Sequence, residues 1–308
     1  MRIVAALGGN ALLKRGEPMT AASQRASVKI AARALAPLIL DGHQLIISHG
    51  NGPQVGLLAL QAAAGPTDHA YPLDILDAES AGMIGYMIEQ ELNNALPDGR
   101  MIATLLTQIR VDPGDPAFRD PTKPIGPLHS KADAERLAGE RGWAIACEGI
   151  AWRRVVPSPA PIELLEARVI DYLVQQDVTV ICAGGGGIPV VERDDGSLAG
   201  VEAVIDKDHA SALLARTLGA DRLFLLTDVD AVYTNWATAN AKPITSASPS
   251  SINSAEFAVG SMRPKIEAAI GFTNETGKPA HIGRLDQVGE ILSGRTGTRI
   301  SVTAEIDG

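Results

Sequence analysis

Cysteine is nearly missing from this chain: Cys147 and Cys182 are the only two in 308 residues. Two are too few for a disulfide framework, so a reduced, cytosolic compartment is the expectation. Long apolar runs are missing as well. None approaches the roughly 20 residues that a membrane span needs, and no charged-then-apolar leader precedes the first apolar run at Ile3. Basic residues are outnumbered, giving a formal net charge of -9. That balance argues against non-specific binding to nucleic acid or to an anionic membrane. It also means that an anionic substrate needs a local cluster of lysine or arginine. The six histidines have no metal-ligand spacing, so no metal site is assigned. Gly-x-Ser-x-Gly, His-Glu-x-x-His, the protein-kinase signature and the Gly-Lys-Ser/Thr of a P-loop are all absent.

What is present is glycine in three clusters, each after a short apolar run. Ile3 to Leu7 leads into Gly8-Gly9-Asn10. Leu45 to Ile47 leads into Gly50-Asn51-Gly52-Pro53. Val178 to Ala183 leads into Gly184-Gly185-Gly186-Gly187. A strand ending in glycine brings bare N–H groups close to an anion, because no Cβ stands in the way. Pro53 suits the first turn of a helix, and a helix start there would favour an anion. The Gly50–Gly56 spacing also loosely matches a dinucleotide fingerprint, which keeps a nicotinamide-dependent dehydrogenase open as an alternative. Four glycines in a row exceed the need of a plain turn. They imply close passage of a ligand or of another chain segment.

Strand-length apolar runs alternate with helical patterns. Helices are expected over Ala21–Asp41, Ala78–Leu96, Lys131–Arg141, Ile162–Gln176 and Ala210–Leu218. Strands are expected at Ile3–Leu7, Gln44–Ser48, Met101–Thr107, Val178–Ala183, Arg222–Thr227 and Ala280–Gly283. This alternation predicts an α/β fold with a mainly parallel sheet, whose ligands lie beyond the carboxyl ends of the strands. Asp112 to Pro127 carries five prolines, which excludes a helix or a central strand there. Residues 115–160 are therefore expected to leave the main sheet, as a lid or as a plain surface loop. Asp228 to Ser251, with Tyr233 and Trp236, is expected to be a loop.

Two lysines stand out. Asp206-Lys207-Asp208 precedes a helical pattern, and Asp208 is the expected cap of that helix. The functional alternative is a lysine fixed by Asp206 and aimed at a phosphate. Lys265, in Gly260-Ser261-Met262-Arg263-Pro264-Lys265, falls near a helix start. A cation there opposes the helix dipole, which makes sense beside an anion.

Taken together, these strings resemble the carbamate kinases of the amino-acid kinase superfamily. The matching segments are Ala6–Ala11, Ser48–Gly56, Thr122–Pro127, Arg154–Pro159, Gly184–Val190, Gly200–Asp208, Leu226–Asp230 and Gly260–Ala269. The resemblance implies an open αβα sandwich with two lobes (1–200 and 201–308) and a protruding subdomain at about 115–160. It implies reversible phosphoryl transfer between ATP and carbamate, a Mg²⁺-nucleotide and a homodimer. Lys207 and Lys265 match the lysines that contact the transferring phosphoryl group, and Lys123 matches the one that reaches in from the subdomain. Asp206 is expected to hold the lysines in register. Gly8, Gly9, Asn10, Gly50, Asn51 and Gly52 are expected to donate N–H bonds to carbamate and phosphoryl oxygens. Gly184, Gly185, Gly186 and Gly187, with Thr227, Asp228, Tyr233 and Met262, are expected on the nucleotide. The remaining alternatives are another kinase of the superfamily acting on a small carboxylate, and a nucleotide-binding regulator that kept the fold without catalysis.

Overall fold

A computed structural model of the chain describes residues 1–13, 17–64, 71–258 and 260–303. The elements run β1 (Arg2–Leu7), α1 (Gly9–Leu12), α2 (Ala21–Leu40), β2 (Gln44–His49), α3 (Gly52–Ala64), α4 (Leu73–Ala95), β3 (Ile102–Thr104) and β4 (Gln108–Val111). Next come β5 (Lys123–His129), α5 (Lys131–Arg141), β6 (Ala144–Glu148), β7 (Ala151–Val156), β8 (Pro161–Leu164), α6 (Ala167–Gln175), β9 (Thr179–Ile181), β10 (Ile188–Glu192) and β11 (Leu198–Gly200). The remainder is α7 (Lys207–Thr217), β12 (Arg222–Thr227), β13 (Val232–Thr234), β14 (Lys242–Ile244), β15 (Ser246–Ala247), α8 (Met262–Thr276), β16 (Ala280–Arg284), α9 (Val288–Leu292) and β17 (Thr298–Ile300).

The main sheet has eight strands in the order β15-β17-β16-β12-β1-β2-β9-β3. Its pairs are parallel except β16–β17. Alternate side chains of each strand face opposite layers. Ile3, Ala5 and Leu7 pack with α2, α4 and α9, whereas Val4 and Ala6 pack with α6, α7 and α8. Both faces are covered, which is why the strands read as continuous apolar runs. Strand β1 pairs with β2 on one side and β12 on the other, so the strand order reverses there. Leu7 lies level with both His49 and Leu226. The loops after β1, β2 and β12 therefore open side by side at the switch point of the sheet, where such folds place ligands.

The proline-rich excursion is a separate three-stranded sheet, β5-β7-β6, with α5 against it. Pro124 and Pro127 sit in β5, which is an edge strand and so tolerates residues that cannot donate to a ladder. This sheet docks on α3 through two glycines. A Cβ added at Gly56 would lie 1.9 Å from the Gly126 Cα, and Gly126 itself has φ +76°. The chain approaches itself here more closely than any side chain permits.

Three boundaries differ from expectation. The segment Ile162–Leu164 belongs to strand β8 rather than to the helix that follows, because its side chains pair with β4 across a second, four-stranded sheet. Helix α4 begins at Leu73, since Pro72 and the Glu202 carboxylate, which accepts from the Leu73 N–H, start it earlier. The segment 228–251 contains the hairpin β13–β14 and the short strand β15 instead of a plain loop.

The Gly56 contact yields a test. Gly56→Ala is expected to lower stability by about 1–3 kcal/mol and to expose the β5-β7-β6 unit to limited proteolysis. Wild-type melting and digestion would show that α3 and β5 have room to part.

Candidate active site

Helices α7 and α8 start beside the mouth of the sheet, and each carries a lysine in its first turns. Lys207 is the first residue of α7, and Lys265 the fourth of α8. Both are buried, at 8% and 9% exposure. One carboxylate serves both: Asp208 Oδ1 lies 2.7 Å from Lys207 Nζ, and Oδ2 lies 2.9 Å from Lys265 Nζ. The Lys265 contact is a well-directed hydrogen bond. The Lys207 contact is close but badly angled, so the buried Lys207 ammonium has no directed acceptor among the described residues. An ammonium in that state is poised to donate to an incoming anion.

Asp206 plays another part. Its Oδ1 caps α7, accepting from the N–H groups of Asp208 and His209. Its Oδ2 accepts from Lys123 Nζ at 2.5 Å. The expected roles of the two aspartates are thus exchanged in part. Asp206 is the cap and holds only the subdomain lysine, whereas Asp208 holds Lys207 and Lys265. The reason is geometric: an N-cap side chain folds back over its own helix, while the second helical residue points outward toward α8. The tripeptide Asp206-Lys207-Asp208 brings all three lysines to one place. Three ammonium groups thus meet at two carboxylates, a local gathering of cations on a chain whose net charge is -9.

The titration shifts agree with this arrangement. Burial alone would raise the Asp208 carboxyl, but Lys207 and Lys265 together hold it far below the ordinary carboxylate range. Burial lowers Lys207, and the neighbouring Lys265 adds to that despite Asp208. Lys265 is raised: burial pulls it down, and Asp208, Asp206 and Asp228 outweigh it. Lys123 holds the Asp206 carboxyl low against the effect of burial.

The glycine turns need a finer assignment. The Gly8 N–H donates to the Leu226 carbonyl and the Gly50 N–H to the Leu7 carbonyl, so these two prolong the sheet and are not available to a ligand. Gly8 acts as a spacer: a Cβ there would lie 2.9 Å from the Leu226 oxygen, whereas one at Gly50 would make only ordinary contacts. The donors left at the mouth are the first N–H groups of α1 and α3, from Gly9, Asn10, Asn51 and Gly52, which have no partner within their own helices. The side chain of Asn10 lies outside the described residues. The four consecutive glycines are accounted for by the protein itself. Added Cβ atoms would strike the His49 ring from Gly184, the Asn51 amide from Gly185, the Ile205 carbonyl from Gly186 and Ile109 from Gly187. Gly186 and Gly187 also use their N–H groups on the carbonyls of Ala183 and Gly184. The run therefore supports the loop after β2 on one flank, away from β12.

On the other flank, Thr227 ends β12 and donates its hydroxyl to Asp228. Tyr233 donates to Asp230, and its ring lies 5.4 Å from that of Trp236. Met262 opens α8. These residues share the Lys265 side of the mouth with Asp228.

Three buried groups were not singled out from the sequence. Asp77 and Ser80 of α4 bind the Asn51 amide, and His49 ends β2. The His49 ring meets the Gly50 carbonyl at 3.1 Å. That oxygen can only accept, so Nδ1 carries the proton. Burial lowers the His49 pKa to about 4, the Gly50 bond opposing it and the Lys207 charge adding to it. The Asp-Lys-Asp spacing, the place of Lys265 near a helix start and the family resemblance at Lys123 gave the signals for the charged cluster. Nothing local marked Asp77 or Ser80.

The sequence profile of the amino acid kinase family matches residues 1–284. The chain belongs to this family, among its carbamate kinases. It is 55% identical over 305 residues to a carbamate kinase of Haemophilus influenzae, spanning 99% of this chain and 98% of that one. It is 49% identical to the Escherichia coli K12 carbamate kinase, over 97% of this chain and 99% of that one. Among solved structures, the Giardia lamblia carbamate kinase bound to citric acid superposes with a TM-score of 0.91 at 40% identity. It covers 97% of this chain and 98% of that one. The same enzyme bound to AMP-PNP superposes at 0.88, with the same identity and coverage.

Two predictions follow from the charged cluster and the buried rings. Asp208→Asn leaves two buried ammonium groups without their shared counter-ion, a loss of about 3–5 kcal/mol by analogy with broken buried pairs, together with a fall in kcat. Wild-type values for both denaturation midpoint and kcat would remove Asp208 from this role. The second concerns pH. His49 is lowered to about 4 and His281, by burial and then Arg222 and Arg299, to about 3. Above the ordinary value of about 6.5 neither costs stability. As pH falls below it, the unfolded chain takes up protons that the folded chain refuses. Each ring then removes up to about 1.4 kcal/mol per pH unit, His49 until about 4. Unfolding free energy measured at pH 7.5 and 5.0 should drop, and His281→Phe should flatten the slope. Equal stability at both pH values would contradict buried neutral rings.

Proposed function

We propose that the chain is a working carbamate kinase, catalysing ATP + carbamate ⇌ ADP + carbamoyl phosphate. The observation that carries this is the trio of lysines, two of them buried, gathered by Asp206 and Asp208 at the switch point of the sheet. Its support from relatives is the 55% identity to a carbamate kinase over nearly the full length. The presence of all three lysines at one place argues against a regulator without catalysis.

Carbamate is already an anionic nucleophile, so the reaction needs no general base. The obstacle is repulsion between two anions brought together, and catalysis reduces to positioning and charge neutralisation. On this reading residues 1–200 hold the carbamoyl end, through the N–H groups of Gly9, Asn10, Asn51 and Gly52. Residues 201–308 hold the nucleotide, through Thr227, Asp228, Tyr233 and Met262. Lys207 and Lys265 neutralise charge on the transferring phosphoryl group. Lys123 exchanges Asp206 for the substrate's phosphoryl oxygens, which ties the β5-β7-β6 unit to substrate binding. Gly184–Gly187 back the carbamoyl loop, and any contact with nucleotide phosphate is confined to the Gly184 and Gly185 N–H groups. Mg²⁺ enters as part of the Mg-nucleotide substrate, liganded by phosphate oxygens, because Asp206 and Asp208 are already paired with lysines. The proposal includes a cytoplasmic homodimer that runs toward ATP in catabolism, arginine breakdown being one compatible source of carbamoyl phosphate. No helix among the described residues is long and apolar enough to cross a membrane.

The test is a coupled assay for ATP formed from ADP and carbamoyl phosphate, with acetyl phosphate as control. Lys265→Ala and Lys207→Ala are each expected to lose about 10²–10³-fold in kcat while staying folded. Lys123→Ala should chiefly raise KM for carbamoyl phosphate. If all three variants turn over like the wild type, the assigned roles are wrong; no ATP from the wild type would reject the activity itself.

A further inference from the structure

The loop after β2 is held from behind by α4. The amide nitrogen of Asn51 donates one hydrogen to Asp77 Oδ1 and the other to Ser80 Oγ, each at 2.9 Å. Ser80 sends its own hydroxyl hydrogen to the Asp77 carbonyl, also at 2.9 Å. Its oxygen can therefore only accept from Asn51, and Asp77 Oδ1 likewise accepts. Both partners demand the NH₂ end of the amide, so its orientation is fixed twice over. Asn51, Asp77 and Ser80 are all buried, at 2%, 1% and 0% exposure. Gly185 presses on the same amide, with room for no Cβ: one would lie 2.3 Å from the amide nitrogen.

Asn51 immediately precedes α3, and its carbonyl accepts the first helical bond, from Val55. An asparagine at that position ordinarily turns its side chain onto the free N–H groups of its own helix. Here the side chain is drawn the other way, to α4. Among the described residues it makes no cap bond to α3, and the helix start keeps its N–H groups and positive end for something else. The arrangement is costly. Asp77 Oδ2 is buried without a partner, close to Asp74 and Glu202, and burial and then those charges push the carboxyl well above its usual range against the Asn51 bond. An apolar side chain would fill that space without the penalty. What it would not supply is an acceptor for Asn51.

We propose that Asp77, assisted by Ser80, is a positioning residue for the carbamoyl end of the site, holding the Asn51 side chain off α3 so that the helix start stays open to an anion. The inference rests on the reading that carbamoyl phosphate binds at Asn51 and Gly52. Asp77 touches no substrate on this account. Loss of its acceptor frees the Asn51 side chain to cap α3 and to compete with the substrate. Because Asp77 is asked only to accept one hydrogen bond, a neutral acceptor of the same shape should serve as well.

The experiment measures kcat, KM for carbamoyl phosphate, KM for ADP and melting temperature for Asp77→Ala, Asp77→Asn and Ser80→Ala. Acetyl phosphate is added as a competitor sharing the same anionic end. Asp77→Ala should raise KM for carbamoyl phosphate and Ki for acetyl phosphate together, by about tenfold, the equivalent of one modest hydrogen bond. KM for ADP should stay within about twofold. Asp77→Asn should restore both values, and Ser80→Ala should move them in the same direction by less. A change of equal size in both substrate KM values, or a fall in melting temperature alone, would make Asp77 merely structural and overturn the proposal. If Asp77→Ala does not fold, Ser80→Ala and Asp77→Asn decide: wild-type KM for carbamoyl phosphate in Ser80→Ala, or a tenfold rise in Asp77→Asn, overturns it. Asn51→Ala separates the two layers, because it deletes the side chain that would cap α3 and keeps the backbone N–H groups. Added to Asp77→Ala, it should return KM for carbamoyl phosphate to near the wild-type value; a tenfold rise that persists in the double variant overturns the role of Asp77. A Cβ at Gly52 would meet nothing within 4 Å, so Gly52→Leu crowds the helix start alone, and unchanged carbamoyl phosphate kinetics in that variant would reject binding at this loop.

Discussion

One buried carboxylate shared by two buried ammonium groups is the constraint from which the rest of the site takes its shape. Asp208 cannot serve Lys207 and Lys265 at once unless the starts of α7 and α8 lie side by side. They do so because both helices pack on the same face of the sheet, through Leu214, Ile266, Ala269 and Phe272 among others. Removing two ammonium groups from water is unfavourable unless each is paired. The shared carboxylate supplies the direct contacts, and Asp206 and, for Lys265, Asp228 add to it from further away. In the proposed function this cluster is also where an anion is received.

The neighbouring pair, Lys123 with Asp206, has a different character. Its side chains are 25% and 15% exposed, and it joins two separately folded units, the β5-β7-β6 sheet and α7. Asp206 already accepts two N–H groups as the cap of α7, so it stays in place when Lys123 leaves. A more exposed pair is weaker than a buried one. The subdomain lysine is thus held by a contact that an incoming phosphoryl group can replace, whereas Lys207 and Lys265 are held by one that it cannot.

Much of this was legible in the sequence where a local rule and the tertiary need coincide. The apolar runs, the glycine turns at strand ends and the prolines of residues 112–127 each follow from backbone sterics, and each marks a real feature of the fold. The site was legible as a set of residues but less so as a set of roles. Asp208 reads as the cap on paper, yet Asp206 caps α7, and only the position of α8 shows that Asp208 faces Lys265. Gly8 and Gly50 look like anion donors, yet their N–H groups prolong the sheet, because the strand pairing runs one residue further than the apolar pattern. The Gly184–Gly187 run looks like a phosphate cradle. Its explanation is instead the crowding of His49, Asn51, Ile205 and Ile109, residues far away in the chain. Asp77 and Ser80 gave no signal, since an aspartate and a serine three apart on a helix are ordinary.

The two sides of the mouth then differ in how they achieve selectivity. In the proposed function the binding groups on the β2 side are backbone N–H groups at helix starts, fixed by packing and by the Asn51–Asp77–Ser80 bonds. Fixed dipoles recognise a small anion without needing to reorganise, which suits a substrate with few atoms to grip. On the β12 side the candidates are side chains on a hairpin, Tyr233 among them, which suit a larger ligand with an aromatic base. Between them stands β1, whose Gly8 leaves no room for a Cβ beside the Leu226 carbonyl. In the proposed function a phosphoryl group passing from one side to the other crosses above that loop, near the ammonium groups of Lys207 and Lys265 gathered by Asp208. On that reading the shared carboxylate does more than hold two cations. It sets them between the two proposed substrate sides.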